Sequence, residues 1–303
     1  MNSTITSVPG VLAGHFTHPS GTTGTTAVVF PEGAVASGFV PGSAPGSREH
    51  GLFDPRHLAP RIHGVCFSGG SAFGLCTADG VMAALADRGI GMAVGAHTIP
   101  LVPAAILFDL PVSEARPEAE WGRRAVDAAG DGPLPAGRVG AGAGARVGLA
   151  SGTARPGGLG CAARSVAGGR VAALAVVNAF GSVVDPSTGA WVVGGPPVLE
   201  GEGAPLGHTT LVLVVTDAPL DKAGCAVVSR MAAAGLARTL VPAFAPVDGD
   251  TVIVASTGAS QKASPGTLAR LGHTASECVA EAILSAVRPG RPTGAGGGSN
   301  AQR

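Results

Sequence analysis

Charge is scarce in this chain. Asp, Glu, Lys and Arg make up 13% of its 303 residues, with 20 acidic and 20 basic side chains and a formal net charge of zero. The Lys and Arg are scattered, so no basic stripe marks a surface for phosphate backbones or anionic lipid. Cysteine is sparse and odd in number: Cys66, Cys76, Cys161, Cys225 and Cys278 form no C-x-x-C pair and have no His at zinc-type spacing. They read as reduced core thiols, and neither a metal nor another cofactor is expected. No apolar run approaches the roughly 20 residues of a membrane span. The first residues, MNSTITSVPGV, lack a basic start and an apolar segment behind it. These absences argue against nucleic-acid and membrane partners and for a cytoplasmic protein.

What the chain has is apolar content, 45% of its residues, enough to bury a large core. No repeat and no composition shift divides it, so residues 1–288 read as one α/β domain. Residues 289–303, PGRPTGAGGGSNAQR, read as a loose tail. Residues 5–62 look like short strands and turns, Thr25 to Phe30 being the clearest strand, and Arg48-Glu49 is a charged loop pair. In HGVCFSGGSAFGLCTADGVMAALADRGIG a strand, Val65 to Phe67, enters the turn Ser68-Gly69-Gly70-Ser71 and then a helical periodicity. Converging N–H groups in such a turn can bind an anion or a polarised carbonyl; alternatively Ser71 is only a helix N-cap. The turn lacks the Gly-Lys-Ser/Thr of a P-loop and the Gly-x-Ser-x-Gly of a nucleophile elbow.

Further on, Pro100 to Pro111 reads as a buried run ending at Asp109, and residues 113–127 as an exposed helix. RVGAGAGARVG (138–148) matches the loose dinucleotide fingerprint but lacks the strand before it and the helix after it, so it reads as a glycine-rich turn. Val171 to Val177 is a strand ending at Asn178, with Val183-Val184 as its return. Residues 185–207 form a long loop leading to Gly207-His208-Thr209-Thr210 and the buried strand Leu211 to Val215. Helical periodicity returns over 221–239 and 267–287, with a strand at Thr251 to Ser256 between them, and Asp248-Gly249-Asp250 reads from pattern alone as a solvated turn. A Thr at the head of a strand ordinarily only packs there. Cut before Thr209, however, the chain would present a hydroxyl nucleophile and an α-amine on one residue.

Several segments in order, VPGVLAGH, FSGGSAFGLCTADGVM, GIGMAVG, VPAAILFDLP, VNAFG and TTLVLVVTDAPL followed by DGDT, resemble the self-processing aminopeptidases of the DmpA type. These are L-aminopeptidase D-amidase/D-esterases, grouped with β-aminopeptidases, a pantetheine hydrolase and nylon-oligomer hydrolases. The resemblance spans most of the chain. It implies a four-layer α/β/β/α sandwich, shared with the distantly similar ornithine acetyltransferases, and a homo-oligomer. It also implies a precursor that cuts itself between His208 and Thr209, giving chains 1–208 and 209–303. Thr209 matches the nucleophile, Asn178 the oxyanion Asn, and Asp248 and Asp250 the polar pair that orients the nucleophile. Ser68, Gly69, Gly70 and Phe108 are the expected substrate-binding positions. Two positions differ from the family pattern: His208 stands where relatives often have Gly or Asn, and the chain has no Tyr. Phe108 takes the place of that Tyr, which would make the oxyanion hole more dependent on Asn178. The implied activity is hydrolysis of small peptides or amides, an acyltransferase and an uncut binding protein being the alternatives.

Overall fold

Strands whose side chains are apolar on both faces need cover on both, and the way the successive side chains divide shows what covers them. In a computed structural model, which describes residues 2–152, 154–198 and 207–288, the strands concerned are β1 (Leu12–Thr17), β2 (Gly24–Phe39), β3 (Gly46–Arg48), β4 (Ile62–Ser68), β5 (Ala104–Ile106), β6 (Gly158–Val166), β7 (Gly169–Asn178), β8 (Thr209–Thr216) and β9 (Thr251–Ser256). They hydrogen-bond in the order β6-β7-β8-β9-β2-β4-β5-β3, with β1 also paired to β2. β8 runs parallel to β9 and β4 parallel to β5, while the other pairs are antiparallel. The helices are α1 (Thr77–Asp87), α2 (Ala119–Asp127), α3 (Lys222–Thr239) and α4 (Pro265–Val287).

On β7, β8 and β9 the residues Val171, Ala173, Val212, Val214, Val252 and Val254 pack with Leu236 of α3 and with Leu271, Val279 and Ile283 of α4. Their neighbours Leu174, Val176, Leu211, Leu213, Val215 and Ile253 point the other way, into a core shared with Val28, Phe30, Val65, Phe67 and Leu107. On the far side of β2 and β4, Ala27, Val29 and Cys66 pack with Val81 and Leu85 of α1 and with Trp121 and Val126 of α2. The layers are therefore α1/α2, sheet, sheet, α3/α4, the four-layer sandwich implied by the resemblance. One strand joins both sheets. The first half of β2 pairs with β1 and β4, and the second half, Val35 to Phe39, pairs with β9. Its register shifts between Val29 and Ala34, across Pro31-Glu32-Gly33, so the strand bends without ending.

That bend corrects the expected short strand at Thr25 to Phe30. Other expectations also change. Residues 113–127 are helical only from Ala119, and Trp121, Gly122, Ala125 and Val126 are buried against α1 rather than exposed. Ser71 is not an N-cap: it has φ 55° inside a short 3-10 turn, Ser71–Cys76, that precedes α1. Ser182–Val184 does not return beside β7 but joins a small sheet with Trp191–Val193 and Leu240–Val241. Arg48 forms an ion pair with Asp79, on a surface where such pairs contribute little. The expected tail, 289–303, lies outside the described residues.

Candidate active site

Three strand ends meet at one place. β8 and β9 are parallel neighbours, so the residues that enter them, Thr209 and Asp248-Gly249-Asp250, lie side by side; β7 is antiparallel to β8, so its last residue, Asn178, sits opposite Thr209. His208 extends the pairing by bridging to Asp248. The core on both faces of β8 holds Thr209 with 4% of its surface exposed.

The His208 carbonyl, which belongs to the peptide bond entering Thr209, is held from two directions. The Gly249 N–H donates to its oxygen at 2.8 Å, and the Thr209 Oγ–H donates to the same oxygen at 2.5 Å. An N–H aimed at a carbonyl oxygen stabilises the negative charge that develops there when the carbon is attacked. Gly249 was not recognised from sequence, and only a glycine fits there. A methyl group on it would stand 2.7 Å from the Ala44 carbonyl oxygen and 2.8 Å from Thr209 Oγ. One residue before His208, Gly207 has φ 112°, and a side chain on it would strike the Phe108 ring. The approach to the bond thus runs through backbone that L side chains rarely adopt.

Asn178 donates Nδ2–H to the carbonyls of Gly207 and Phe108, each at 3.3 Å, and its Oδ1 accepts the Arg146 N–H at 2.8 Å. In the unbroken chain its amide therefore holds the carbonyl before His208, while Gly249 serves His208 itself.

Asp248 and Asp250 are each 1% exposed, which overturns the solvated turn expected from pattern alone. Their oxygens are taken by backbone donors. Asp250 accepts from Thr210 N at 2.6 Å and Phe244 N at 3.2 Å; Asp248 accepts from Phe180 N at 3.3 Å and Ala245 N at 3.0 Å. Burial pushes both carboxyls above the ordinary carboxylate range, and the charge of Asp248 pushes Asp250 further. Such a pair resists carrying two negative charges and is poised to accept a nearby cation.

Beside Asn178 and His208 lies a cavity of about 200 Å³, walled by Phe108, Pro111, Val112, Val147, Leu149 and Ala179, with Asp109 and Arg146 as its charged residues. Phe108, expected from the resemblance to contact substrate, forms part of this wall. Ser68, Gly69 and Gly70 are not among the lining residues: all three are buried, and the amides of the turn are spent internally, Gly69 N–H on Gly24 O, Gly70 N–H on Asp109 Oδ1 and Ser71 N–H on Leu107 O. The turn braces Asp109, which lines the cavity, and its own amides are not free for a ligand. The glycine-rich stretch 138–148 instead supplies the lining residues Arg146 and Val147, followed by Leu149, which sequence reasoning missed because only the glycines stood out.

None of the five cysteines is among the residues lining this cavity. Burial pushes the thiols of Cys66, Cys161, Cys225 and Cys278 up to about 12 and also raises Cys76, so thiolate is scarce. Among the described residues no group of three His, Cys, Asp or Glu side chains is placed to hold a metal ion, and no helix is long and apolar enough to cross a membrane.

The arrangement has the fold of an Ntn-type hydrolase. It superposes on a Burkholderia sp. β-aminopeptidase with a TM-score of 0.72 at 22% identity, covering 94% of this chain and 86% of that one. It also matches the L-aminopeptidase D-Ala-esterase/amidase of Ochrobactrum anthropi, described as a variant of the Ntn hydrolase fold, at a TM-score of 0.70 and 19% identity, covering 94% and 85%. The chain belongs to peptidase family S58, whose family model it matches over residues 3–300. An uncharacterized aminopeptidase of Mycobacterium tuberculosis is 38% identical over an aligned length of 334 residues, 96% of this chain and 95% of that protein. A 6-aminohexanoate-oligomer endohydrolase of Paenarthrobacter ureafaciens is 28% identical over 312 residues, 92% of this chain and 84% of that protein. Membership of the family makes the chain a peptidase or amidase.

Proposed function

We propose that the protein is a self-processing aminopeptidase or amidase for small peptides and amides, with Thr209 as its N-terminal nucleophile. The observation that carries this reading is the Thr209 hydroxyl lying against the carbonyl of its own preceding residue, with the Gly249 N–H on the same oxygen. Attack of Oγ on the His208 carbon puts negative charge on that oxygen. The C–N bond then breaks, the Oγ proton passes to the departing nitrogen, and an ester links His208 to Thr209. Water hydrolyses the ester, leaving a His208 carboxylate and a free Thr209 amine. With a reference pKa of about 7.7 to 8.0, that amine can take a proton near neutral pH and serve as the base of its own hydroxyl.

Turnover repeats the chemistry on an external amide. Oγ forms an acyl-enzyme, the substrate amine leaves with a proton, and water releases the acid. Gly249 N–H faces the oxyanion position, and Asn178 Nδ2, once Gly207 withdraws, is the second donor. Asp248 and Asp250 hold the protonated amine. Because the acyl-enzyme can also pass its acyl group to an amine, hydroxylamine supplied during turnover tests the reaction class: free acid as the main product supports a hydrolase, and hydroxamate outrunning acid at low hydroxylamine points to an acyltransferase.

Replacing Asp250 by Asn swaps one acceptor oxygen for a donor that faces Thr210 N–H or Phe244 N–H. Turnover should fall by roughly tenfold or more, about 1.4 kcal/mol of transition-state stabilisation, in a folded protein. Unchanged kinetics would reduce the pair to a structural role. The same substitution should alter the pH dependence of stability. A carboxyl raised in the folded state stabilises it fully below the ordinary carboxylate range, and that contribution is lost as pH rises towards neutrality. Melting curves of Thr209→Ala should therefore decline across that window, and adding Asp250→Asn should flatten the decline.

Association is the remaining expectation. A homo-oligomer predicts a sedimentation mass that is a multiple of 29.3 kDa at micromolar concentration; a mass of one subunit would count against it.

A further inference from the structure

A self-cutting enzyme carries a template of its own acyl site. If Thr209 cuts after His208, as proposed above, His208 is the acyl residue of the first reaction, and whatever faces its side chain faces the acyl group of later substrates. Two groups do so. The Phe180 ring lies 5.5 Å from the imidazole, centroid to centroid. Arg146 lines the same cavity as His208, and after burial its charge is the second cause that lowers the proton affinity of the imidazole.

Arg146 is placed by the catalytic residues themselves. Its N–H donates to Asn178 Oδ1 at 2.8 Å, and its short strand, Arg146–Val147, pairs with Arg155–Pro156. Its side chain is exposed, and among the described residues it joins none of the ion pairs. Of the other ionisable lining groups, Asp109 commits Oδ1 to the Gly70 N–H and is shifted towards its neutral form by burial, and burial shifts His208 the same way. Among the described residues, the cavity beside Asn178 is thus an apolar pocket whose one cation, Arg146, joins no ion pair.

We propose that Arg146 selects the acyl group and that the preferred substrates are amides whose acyl part carries a carboxylate, such as acidic aminoacyl amides or dicarboxylic half-amides. The guanidinium fork pairs with a carboxylate through two charge-assisted hydrogen bonds, whereas a lysine-like acyl group would meet a like charge.

Two measurements test this apart from the Thr209 reading. The first is hydrolysis of glutamyl, alanyl and lysyl 4-nitroanilides. Wild type should favour the glutamyl compound over the alanyl by about tenfold or more in kcat/KM, mainly through KM, with the lysyl compound last. Arg146→Gln should abolish that preference and Arg146→Glu should invert it. The second is calorimetric binding of glutarate against glutaramide, which needs no turnover. Glutarate should bind about tenfold more tightly, and only while Arg146 is present. Arg146-dependent glutarate binding in a protein that hydrolyses none of the amides would support the pocket and sink the nucleophile. A preference for alanyl or lysyl substrates, glutarate binding no tighter than glutaramide, or an equal loss of both ligands in Arg146→Gln would overturn the proposal.

Discussion

Thr209→Ala should remain one polypeptide and lose amide hydrolysis by on the order of a thousandfold or more, whereas Thr209→Ser should still cut and keep part of its activity. The hydroxyl performs two acts in this account. It breaks the bond before residue 209, and after that break it shares a residue with the amine that activates it, so alanine removes both. Serine keeps the oxygen but loses the γ-methyl that restricts χ1, and its hydroxyl rests less often against the His208 carbonyl. Slower maturation with residual turnover is the expected outcome, read as the ratio of cut to uncut chain over time. Turnover in Thr209→Ala at the wild-type rate would remove Thr209 from the mechanism. A cut before Thr210 would move the nucleophile by one residue.

Gly249→Ala should slow self-cleavage by about a hundred- to a thousandfold, the usual loss for one oxyanion donor. The added methyl group meets the Ala44 carbonyl and Pro45 Cα, both backbone, and also Thr209 Oγ, so the strand entry must shift and carry the Gly249 N–H away from the His208 carbonyl. A circular dichroism spectrum and melting point near those of Thr209→Ala, another uncut chain, would show that the fold survives. Maturation at the wild-type rate in folded Gly249→Ala would mean that the His208 carbonyl does not need this donor.

The contrast between Thr209 and Gly249 shows what was legible in the sequence. Leu211 to Val215 announced a strand covered on both faces, and the structure packs β8 on both and buries Thr209 at its head. A glycine between two aspartates announces only a turn. Its necessity comes from Ala44 and Pro45, some two hundred residues away in sequence, and no local pattern encodes that approach. The resemblance pointed to the aspartates, but their burial was hidden from pattern for a related reason. Acidic side chains around a glycine resemble a solvated loop until the Phe180, Ala245, Phe244 and Thr210 N–H groups are seen to converge on them. The bend in β2 was missed because Pro31 and Gly33 ordinarily end a strand; here they fall where the strand passes from one sheet to the other. Ser68-Gly69-Gly70 failed in the opposite sense. The motif was visible, but its amides serve the fold.

The intact mass of the purified wild-type protein bears most directly on the claim that Thr209 becomes an N-terminus. Two species are expected, Met1 to His208 and Thr209 to Arg303, their masses summing to that of the 29.3 kDa chain plus one water, with both present in one particle under native conditions. An active preparation whose mass shows a single uncut chain would contradict the account, and an uncut, inactive one would favour a binding protein that kept the sandwich and lost the chemistry.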